Sequence, residues 1–307
     1  MQDNRIKIVG ILRGGTGTGT GNEYEKSLRE GGEVLSLIHE NLSDKWKPVD
    51  ILVDRKGVWH FKGMPILASE LANKVDIIWN ASHRSYSAIF QNLSIPHVGH
   101  SIFSKTLSEN KKMLQEHMEK IGVKMPRHFV IPTYQADFDR NKEKFIVKKA
   151  QEVLHKFPAP WIVKTFTPDS NTAIHLVKTY PELVDAIADV VDHNKSILVE
   201  EFISGKIASV HSVLGFRGED IYTFPLVNFK IEEKEKLIKL AKDIHDHLGK
   251  DHYLRSDFVL SPRGNIFLIN VEFSPDLKKD SHFDQACEKV GAKMHHVIEH
   301  ILSKNFI

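Results

Sequence analysis

A pair of strand-like segments joined by a tight turn constrains the fold of this sequence more than any other stretch. The segments are Tyr253–Leu260 and Asn265–Glu272, and Ser261–Gly264 between them has the residues of a turn. This order predicts an antiparallel hairpin. Because residues two apart on a strand share a face, we expect Asn270 and Glu272 to point to the same side of the hairpin.

Asp257 on the first strand gives this hairpin its candidate chemistry. If Asp257 lies on the same face as Asn270 and Glu272, three oxygen-bearing side chains converge, and oxygen ligands are the type that Mg²⁺ takes in proteins. Arg255, two residues before Asp257, faces the same side and can hold an anion. Charged residues on a hairpin also commonly form a solvated face, so the residues alone leave both interpretations open.

The order of these residues continues into the following loop. Arg255-Ser-Asp257, then Asn270-Val-Glu272, then Ser281 resembles the C-terminal signature of the ATP-grasp ligases, most closely the D-alanine–D-alanine ligases. The resemblance implies that Asp257 and Glu272 bind Mg²⁺ or Mn²⁺, with Asn270 as a neutral third ligand. It also implies that Arg255 stabilises a tetrahedral oxyanion and that Ser281 is a catalytic residue. The family has Glu-x-Asn where this chain has Asn-x-Glu, so the same ligand types exchange places.

The N-terminal segment predicts a buried parallel strand over Arg5–Leu12, a glycine-rich loop over Arg13–Gly21 and a helix that begins near Asn22. Backbone N–H groups at such a junction can bind an anion. The glycine spacing fits neither a dinucleotide fingerprint nor a P-loop, which disfavours a Rossmann-type oxidoreductase. In the resemblance this loop contacts an amino acid substrate, and Glu23 is the catalytic-site residue that holds its ammonium group. Glu23 can equally serve only to favour the first helical turn.

Two lysines and a serine in the middle of the chain are candidate phosphate-binding residues. Lys111 lies early in a helix that is predicted to end at Gly122, and Lys164 ends the short apolar strand Trp161–Lys164. A lysine at a strand end offers a point charge on a flexible stem. The resemblance implies that both lysines contact the nucleotide phosphates. It makes Ser170 a catalytic residue in the loop that closes over the triphosphate, although the glycines of that family loop are missing here.

The strand Ser196–Ile203 is similar to the segment that contacts adenine in the same family. The resemblance assigns Glu200 to the adenine side, and Glu201 through Ile203 to backbone contacts and an apolar wall. Ile207 stands where the family has a carboxylate for the ribose hydroxyls. Nucleotide binding is therefore expected with altered ribose contacts.

The 18 histidines of the chain suggest a metal site of another kind. His296-Val-Ile-Glu-His300 spells the H-x-x-E-H pattern, but a catalytic zinc needs a third ligand, and no nearby residue supplies one. The pattern lies in a single last helix that is predicted to begin at Ser281 or His282 and to end near Leu302. Cys287, in the same helix, is expected to be packed without a reactive role.

Composition sets broad limits on function. The chain has 307 residues, 41% of them hydrophobic and 27% charged, which is typical of globular proteins. Its 42 basic residues are matched by 40 acidic ones for a net charge of +2, which gives no indication of nucleic-acid binding. One cysteine, no signal peptide and no apolar run long enough for a membrane span predict a cytoplasmic protein without a membrane partner.

Strands that alternate with helices predict an N-terminal α/β domain with a parallel sheet. The resemblance implies an ATP-grasp fold that combines this domain (residues 1–99) with a central α+β domain (100–202) and a C-terminal α+β domain (203–307). It implies an ATP-dependent carboxylate–amine ligase that acts on amino acids or peptides through an acyl phosphate, with ATP and Mg²⁺ or Mn²⁺ as cofactors and a homodimer as a possible assembly. The alternative is a homologue that binds nucleotide or a partner without ligation.

Overall fold

The computed structural model describes residues 5–15, 21–83, 85–99, 102–135, 141–165, 174–192, 196–226, 229–249 and 252–306. Ser170 and the threonine–glycine repeat of the N-terminal loop lie outside these residues. Strands and helices alternate through much of the described chain. The strands are β1 (Lys7–Gly14), β2 (Trp46–Val53), β3 (Trp59–Phe61), β4 (Met64–Ile66), β5 (Ile77–Asn80), β6 (His97–Val98), β7 (His128–Ile131), β8 (Trp161–Thr165), β9 (His175–Val177), β10 (Ile197–Glu201), β11 (Lys206–Leu214), β12 (Ile221–Thr223), β13 (Tyr253–Leu260) and β14 (Ile266–Glu272).

The helices connect and cover these strands, and their bounds follow the apolar periodicity of the sequence. No helix among the described residues is both long and apolar enough to pass through a bilayer. The α-helices are α1 (Gly21–Asn41), α2 (Ser85–Asn92), α3 (Ile102–Glu109), α4 (Lys111–Lys120), α5 (Lys142–Lys156), α6 (Tyr180–Val191), α7 (Ile231–His247), α8 (His282–Glu288) and α9 (Met294–Lys304), and short 3-10 helices cover Ala68–Asn73 and Phe216–Gly218.

Three sheets organise the described residues. The first has the order β4-β3-β2-β1-β5-β6. Its four strands β2, β1, β5 and β6 pair in parallel, and β3 and β4 add an antiparallel edge. The second sheet, β7-β10-β8-β9, is antiparallel throughout. The third has the order β12-β11-β13-β14. These sheets confirm the predicted combination of α/β and α+β architecture.

The chain forms two compact units. Unit 1 comprises Met1–Ile121, Ala208–Asp257 and Asn270–Ile307, and unit 2 comprises Gly122–Ile207 and Phe258–Ile269. Each unit has an apolar core of its own: β1, α1, α8 and α9 contribute to the core of unit 1, and β8, β10, α5 and α6 to that of unit 2. The division into three domains at residues 99 and 202 stays a prediction.

Two long helices predicted from the sequence are each divided in the structure. The segment predicted as one last helix forms α8 and α9, because Gly291 adopts a left-handed φ of 65° that ends the helical path. The segment before Gly122 forms α3 and α4, because Asn110 has extended backbone angles. The side chain of Asn110 caps α4 by accepting a hydrogen bond from the backbone N–H of Met113.

Candidate functional site

The predicted strand pair brings the three oxygen-bearing side chains together. The strands β13 and β14 are neighbours in the third sheet, joined by the Ser261–Gly264 turn. The Asn270 amide nitrogen donates to Asp257 Oδ2 and to Glu272 Oε1, both at 3.3 Å. One neutral amide therefore bridges two carboxylates, which lowers the cost of placing two negative charges close together.

Arg255 completes the charge arrangement around Asp257. Its Nε and Nη2 atoms lie 3.2 and 3.1 Å from Asp257 Oδ2. Burial acts most strongly on the guanidinium and lowers its pKa, but attraction to Asp257, Tyr253 and Glu272 outweighs burial, so the pKa of Arg255 is raised. Arg255 is therefore a permanent cation on the same face as the two carboxylates.

The second oxygen of Asp257 is the most informative atom of this cluster. Asp257 is only 8% exposed, and its Oδ1 atom is buried without a hydrogen-bond partner. A buried carboxylate oxygen without a donor is costly unless a ligand satisfies it. A cation bound by Asp257 Oδ1, Glu272 and the oxygen of a rotated Asn270 amide would do so, and this set of hard oxygen donors fits Mg²⁺ or Mn²⁺.

A different metal set does not form in the described part of the chain. No three His, Cys, Asp or Glu side chains gather there as metal ligands. The two histidines of the H-x-x-E-H pattern are engaged elsewhere, because His296 Nδ1 accepts from the Lys293 backbone N–H and His300 Nε2 donates to the Leu214 carbonyl. Cys287 is buried, and burial raises the pKa of its thiol to about 12, as expected for a packed cysteine.

Lys164 and Glu200 of unit 2, both predicted to contact the nucleotide, form an ion pair with each other. Lys164 Nζ lies 2.6 Å from Glu200 Oε2, and the side chains are 27% and 8% exposed. The antiparallel register of β8 and β10 places Lys164 opposite Leu198, so the lysine reaches diagonally to Glu200. Each residue thus compensates the charge of the other.

Glu201 is held by a second pair in unit 2. The Nε and Nη2 atoms of Arg127 donate to the two carboxylate oxygens of Glu201, each at 2.9 Å. These hydrogen bonds lower the pKa of Glu201 and outweigh the opposing effect of burial. The carboxylate of Glu201 is therefore occupied, which agrees with an expected role for its backbone. Ile203 is half-buried, and Ile207 is 69% exposed.

Lys111 and Glu23 lie at helix starts in unit 1. Lys111 is half-buried directly after the cap residue of α4. Glu23 is exposed in the first turn of α1, where a carboxylate interacts favourably with the helix dipole.

Ser27, four residues after Glu23 in α1, was not singled out by sequence reasoning. Its buried hydroxyl accepts from the Gly14 N–H at 2.9 Å and donates to the Ala81 carbonyl at 2.8 Å, which fixes the strand end that precedes the glycine-rich loop.

Ser281 is the cap residue of α8. Its hydroxyl accepts from the Asp284 backbone N–H at 3.2 Å and donates to the Asp276 carbonyl at 2.8 Å. These bonds account for both functions of a hydroxyl group. The geometry therefore gives Ser281 a structural part beside any contact with substrate.

Sequence reasoning missed a chain of three aromatic side chains beside this cap. Tyr253 Oη lies 2.6 Å from His211 Nδ1, and His211 Nε2 lies 2.6 Å from His282 Nδ1. Tyr253 shares a strand face with Arg255 and Asp257, so its place was available from the period of β13. The partners His211 and His282 come from distant segments, and no local pattern links them.

Comparisons with known proteins agree with the geometry of the C-terminal region. The family model for the D-Ala D-Ala ligase C-terminus matches residues 218–303. The D-alanine–D-alanine ligase of Carboxydothermus hydrogenoformans is 25% identical, with 96% of each chain covered. That of Halalkalibacterium halodurans is 24% identical, with 95% of this chain and 96% of the relative covered.

Solved structures share the fold across nearly the whole chain. D-alanyl-alanine synthetase A from Vibrio cholerae superimposes with a TM-score of 0.77 at 16% identity, with 98% of both chains covered. The VanG D-Ala:D-Ser ligase from Enterococcus faecalis gives a TM-score of 0.75 at 18% identity, with 99% of this chain and 100% of the other covered. The chain therefore has the ATP-grasp fold of these ligases, and its sequence is similar to D-alanine–D-alanine ligases.

Proposed function

We propose that the chain is an ATP-dependent carboxylate–amine ligase. A substrate carboxylate attacks the γ-phosphorus of ATP, the bond to ADP breaks, and an acyl phosphate forms. The nitrogen of an amine substrate then attacks the acyl carbon, loses a proton and displaces inorganic phosphate, which leaves an amide. The observation that carries the proposal is the buried, unpartnered Asp257 Oδ1 beside Asn270, Glu272 and Arg255, within the region that matches the ligase family.

The residues of the cluster have distinct roles in this reaction. Asp257, Asn270 and Glu272 would hold Mg²⁺ or Mn²⁺, which supplies charge neutralisation for the transferred phosphoryl group. Arg255 keeps its charge in the cluster and stabilises the oxyanion of the tetrahedral intermediate. Because Asp257 binds Arg255 only through Oδ2, the Oδ1 atom stays available for the cation.

Lys164 and Lys111 bind the phosphates of ATP in this proposal. Glu200 holds the Lys164 ammonium at 2.6 Å, and a phosphate oxygen can share that ammonium because it has three donors. The backbone of Glu201 and the side chain of Ile203 contact adenine, and Glu23 binds a substrate ammonium group. Ser170 covers the triphosphate, and Ser281 contributes to the substrate site as well as to the cap of α8.

We propose amino acids or short peptides as substrates and do not assign D-alanine. At the place where the ligase family carries His-Gly and an acidic pair, this chain has Asn80-Ala-Ser-His83. Asn80 there accepts from the Ser82 N–H and donates to Ser87, so it closes a loop. We also propose a cytoplasmic location and a homodimer, in keeping with the resemblance.

The test is release of ADP by the purified chain with ATP, Mg²⁺ and a panel of D- and L-amino acids and dipeptides. Substrate-dependent release that is lost in both Asp257→Ala and Lys164→Ala supports the proposal and names the substrates. No substrate-dependent ADP release with any member of the panel, together with no change in thermal stability on addition of ATP, contradicts the proposal and favours a homologue without ligase activity.

A further inference from the structure

A hydrogen-bonded chain in unit 1 runs from the buried core to the start of α8. It consists of Tyr253 on β13, His211 on β11 and His282 at the first position of α8, joined by two contacts of 2.6 Å. Tyr253 and His211 are each 2% exposed, whereas His282 is exposed. Only the last ring of the chain can therefore reach a ligand.

The buried end of the chain determines where the protons lie. Within the described residues, the Tyr253 hydroxyl has His211 Nδ1 as its hydrogen-bond partner. Burial raises the pKa of Tyr253 well above its ordinary value, so the phenol keeps its proton and donates it. His211 must then accept at Nδ1 and carry its own proton on Nε2.

The proton on His211 Nε2 determines the tautomer of His282. His211 Nε2–H donates to His282 Nδ1, so a neutral His282 carries its proton on Nε2. Burial is the largest cause that lowers the pKa of each histidine. His282 and Arg255 lower the pKa of His211 further. Lys289 and Arg255 lower the pKa of His282 further, whereas Asp257 raises it. The Tyr253 hydroxyl and the His211 imidazole thus fix His282 as a neutral donor. His282 Nε2 makes no hydrogen bond within the described part of the chain.

The position of this donor relates it to the oxyanion-binding residue. Tyr253, Arg255 and Asp257 alternate along β13 and share one face, and the ring of His211 packs against Tyr253 on that face. The His282 ring centroid lies 4.9 Å from that of His211. The two hydrogen bonds through His211 therefore connect His282 to the strand face that carries Arg255 and Asp257.

We propose that His282 is a substrate-binding residue that donates its Nε2–H to a carboxylate or acyl oxygen of the ligase substrates, and that His211 and Tyr253 are positioning residues that fix its tautomer. The inference rests on the proposed function for the identity of the ligand. A neutral donor binds a carboxylate oxygen without attracting the free phosphate that a second cation beside Arg255 would attract.

The tautomer is tested on the full chain without any ligand. Long-range ¹H–¹⁵N correlation on ¹⁵N-histidine-labelled protein, with His282→Leu and His211→Leu used to assign the signals, is expected to show both residues as Nε2–H tautomers between pH 6 and pH 8. Tyr253→Phe removes the donor that sets the polarity, and the Nδ1–H tautomer of His211 should then appear. A His282 that carries its proton on Nδ1, or that becomes protonated in this range, overturns the proposal.

The contact with substrate is tested by kinetics on the substrate pair found in the ADP-release panel. His282→Leu should lower kcat/KM for the amino acid substrates about tenfold to a hundredfold, as expected for one hydrogen bond to a charged oxygen, with the KM for ATP unchanged. His282→Gln keeps an N–H donor at a similar reach and should recover most of the loss. His39→Leu, an exposed histidine in the last turn of α1, is the matched control.

The outcomes separate the two proposals. Equal losses in His282→Leu and His282→Gln, or an equal rise in the KM for ATP, indicate a merely structural role and overturn the inference. The inference is also overturned if the wild-type chain releases ADP and both His282 variants release it at the same rate. Failure of every substrate pair contradicts the ligase proposal and with it the assigned ligand, while the tautomer measurement still decides whether His282 is a fixed donor.

Discussion

The carboxylates of unit 1 and unit 2 differ in how their charge is compensated. In unit 2, Lys164 and Glu200 lie 2.6 Å apart, and each compensates the other. In unit 1, Asp257 and Glu272 are brought together by a neutral amide, and Asp257 Oδ1 has no partner. The Lys164–Glu200 pair is therefore charge-compensated within the protein, whereas the cluster in unit 1 is stabilised further when a cation binds.

This difference indicates which charges serve stability and which serve binding. Removing one member of a buried pair leaves an uncompensated charge and is costly. Removing a carboxylate from a site that already has excess negative charge costs less, but it removes the affinity for a cation. Substitutions in the two regions should therefore separate stability from ligand response.

The largest effect is expected from Lys164→Met. Because Glu200 is buried, loss of its cation should lower the free energy of unfolding by about 3 kcal/mol, measured by urea denaturation. The double variant Lys164→Met with Glu200→Gln should recover most of that loss. Lys148→Met, an exposed lysine on α5, is the control and should change little. A Lys164→Met chain as stable as the control would show that the pair does not stabilise unit 2.

The next effect concerns Mg²⁺. At a concentration one hundred times the dissociation constant, Mg²⁺ should stabilise the wild-type chain by about 2.7 kcal/mol. Asp257→Asn should lose most of this increment, because it removes the charge of the buried oxygen that has no protein partner. Asp185→Asn, an exposed position on α6, should keep it. Equal responses of all three chains in thermal unfolding would rule out Asp257 as a ligand.

A smaller effect distinguishes capping from catalysis at Ser281. Ser281→Ala should lower the free energy of unfolding by about 1 kcal/mol, because the Asp284 N–H loses its acceptor. Ser281→Asp restores an acceptor at the cap and should restore the stability. If Ser281 also contacts substrate, the aspartate variant should remain poorly active in the ADP-release assay despite its recovered stability. Normal activity in that variant would limit Ser281 to capping.

The smallest effect is expected at the partly exposed pair of unit 2. Arg127→Gln should cost about 0.5 kcal/mol at pH 7, since the arginine side chain is 51% exposed. The pKa of Glu201 is lowered first by its hydrogen bonds with Arg127, so this stabilisation is present above the unfolded pKa of a glutamate. It should disappear as the pH falls through the folded pKa. A difference between the two chains that does not decrease as the pH falls below the unfolded pKa of a glutamate would contradict this origin.

Local patterns predicted much of the hairpin and little of its surroundings. The bounds of β13 agree with the predicted segment, because the period of the strand and the Ser261–Gly264 turn are local signals. The convergence of Asp257 with Asn270 follows from the same two signals. The resemblance also predicted the ATP-grasp fold, because the order of its motifs extends along nearly the whole chain.

Features that depend on distant residues could not be derived in this way. The pair of Lys164 with Glu200 requires the register of β8 against β10, and the contacts of His211 require two strands and a helix to be in place. The break between α8 and α9 depends on the left-handed conformation of Gly291, which the helical periodicity on either side of it conceals.

The amide of Asn270 also bears on how this sequence can change by mutation. Asparagine and aspartate codons differ by a single base, so one nucleotide substitution would convert the bridge between Asp257 and Glu272 into a third carboxylate. Its two donated hydrogen bonds would become repulsions at the same distances of 3.3 Å. Arg255 would offset only part of this repulsion, so a bound cation would contribute more to the stability of the mutated chain than to that of the present one.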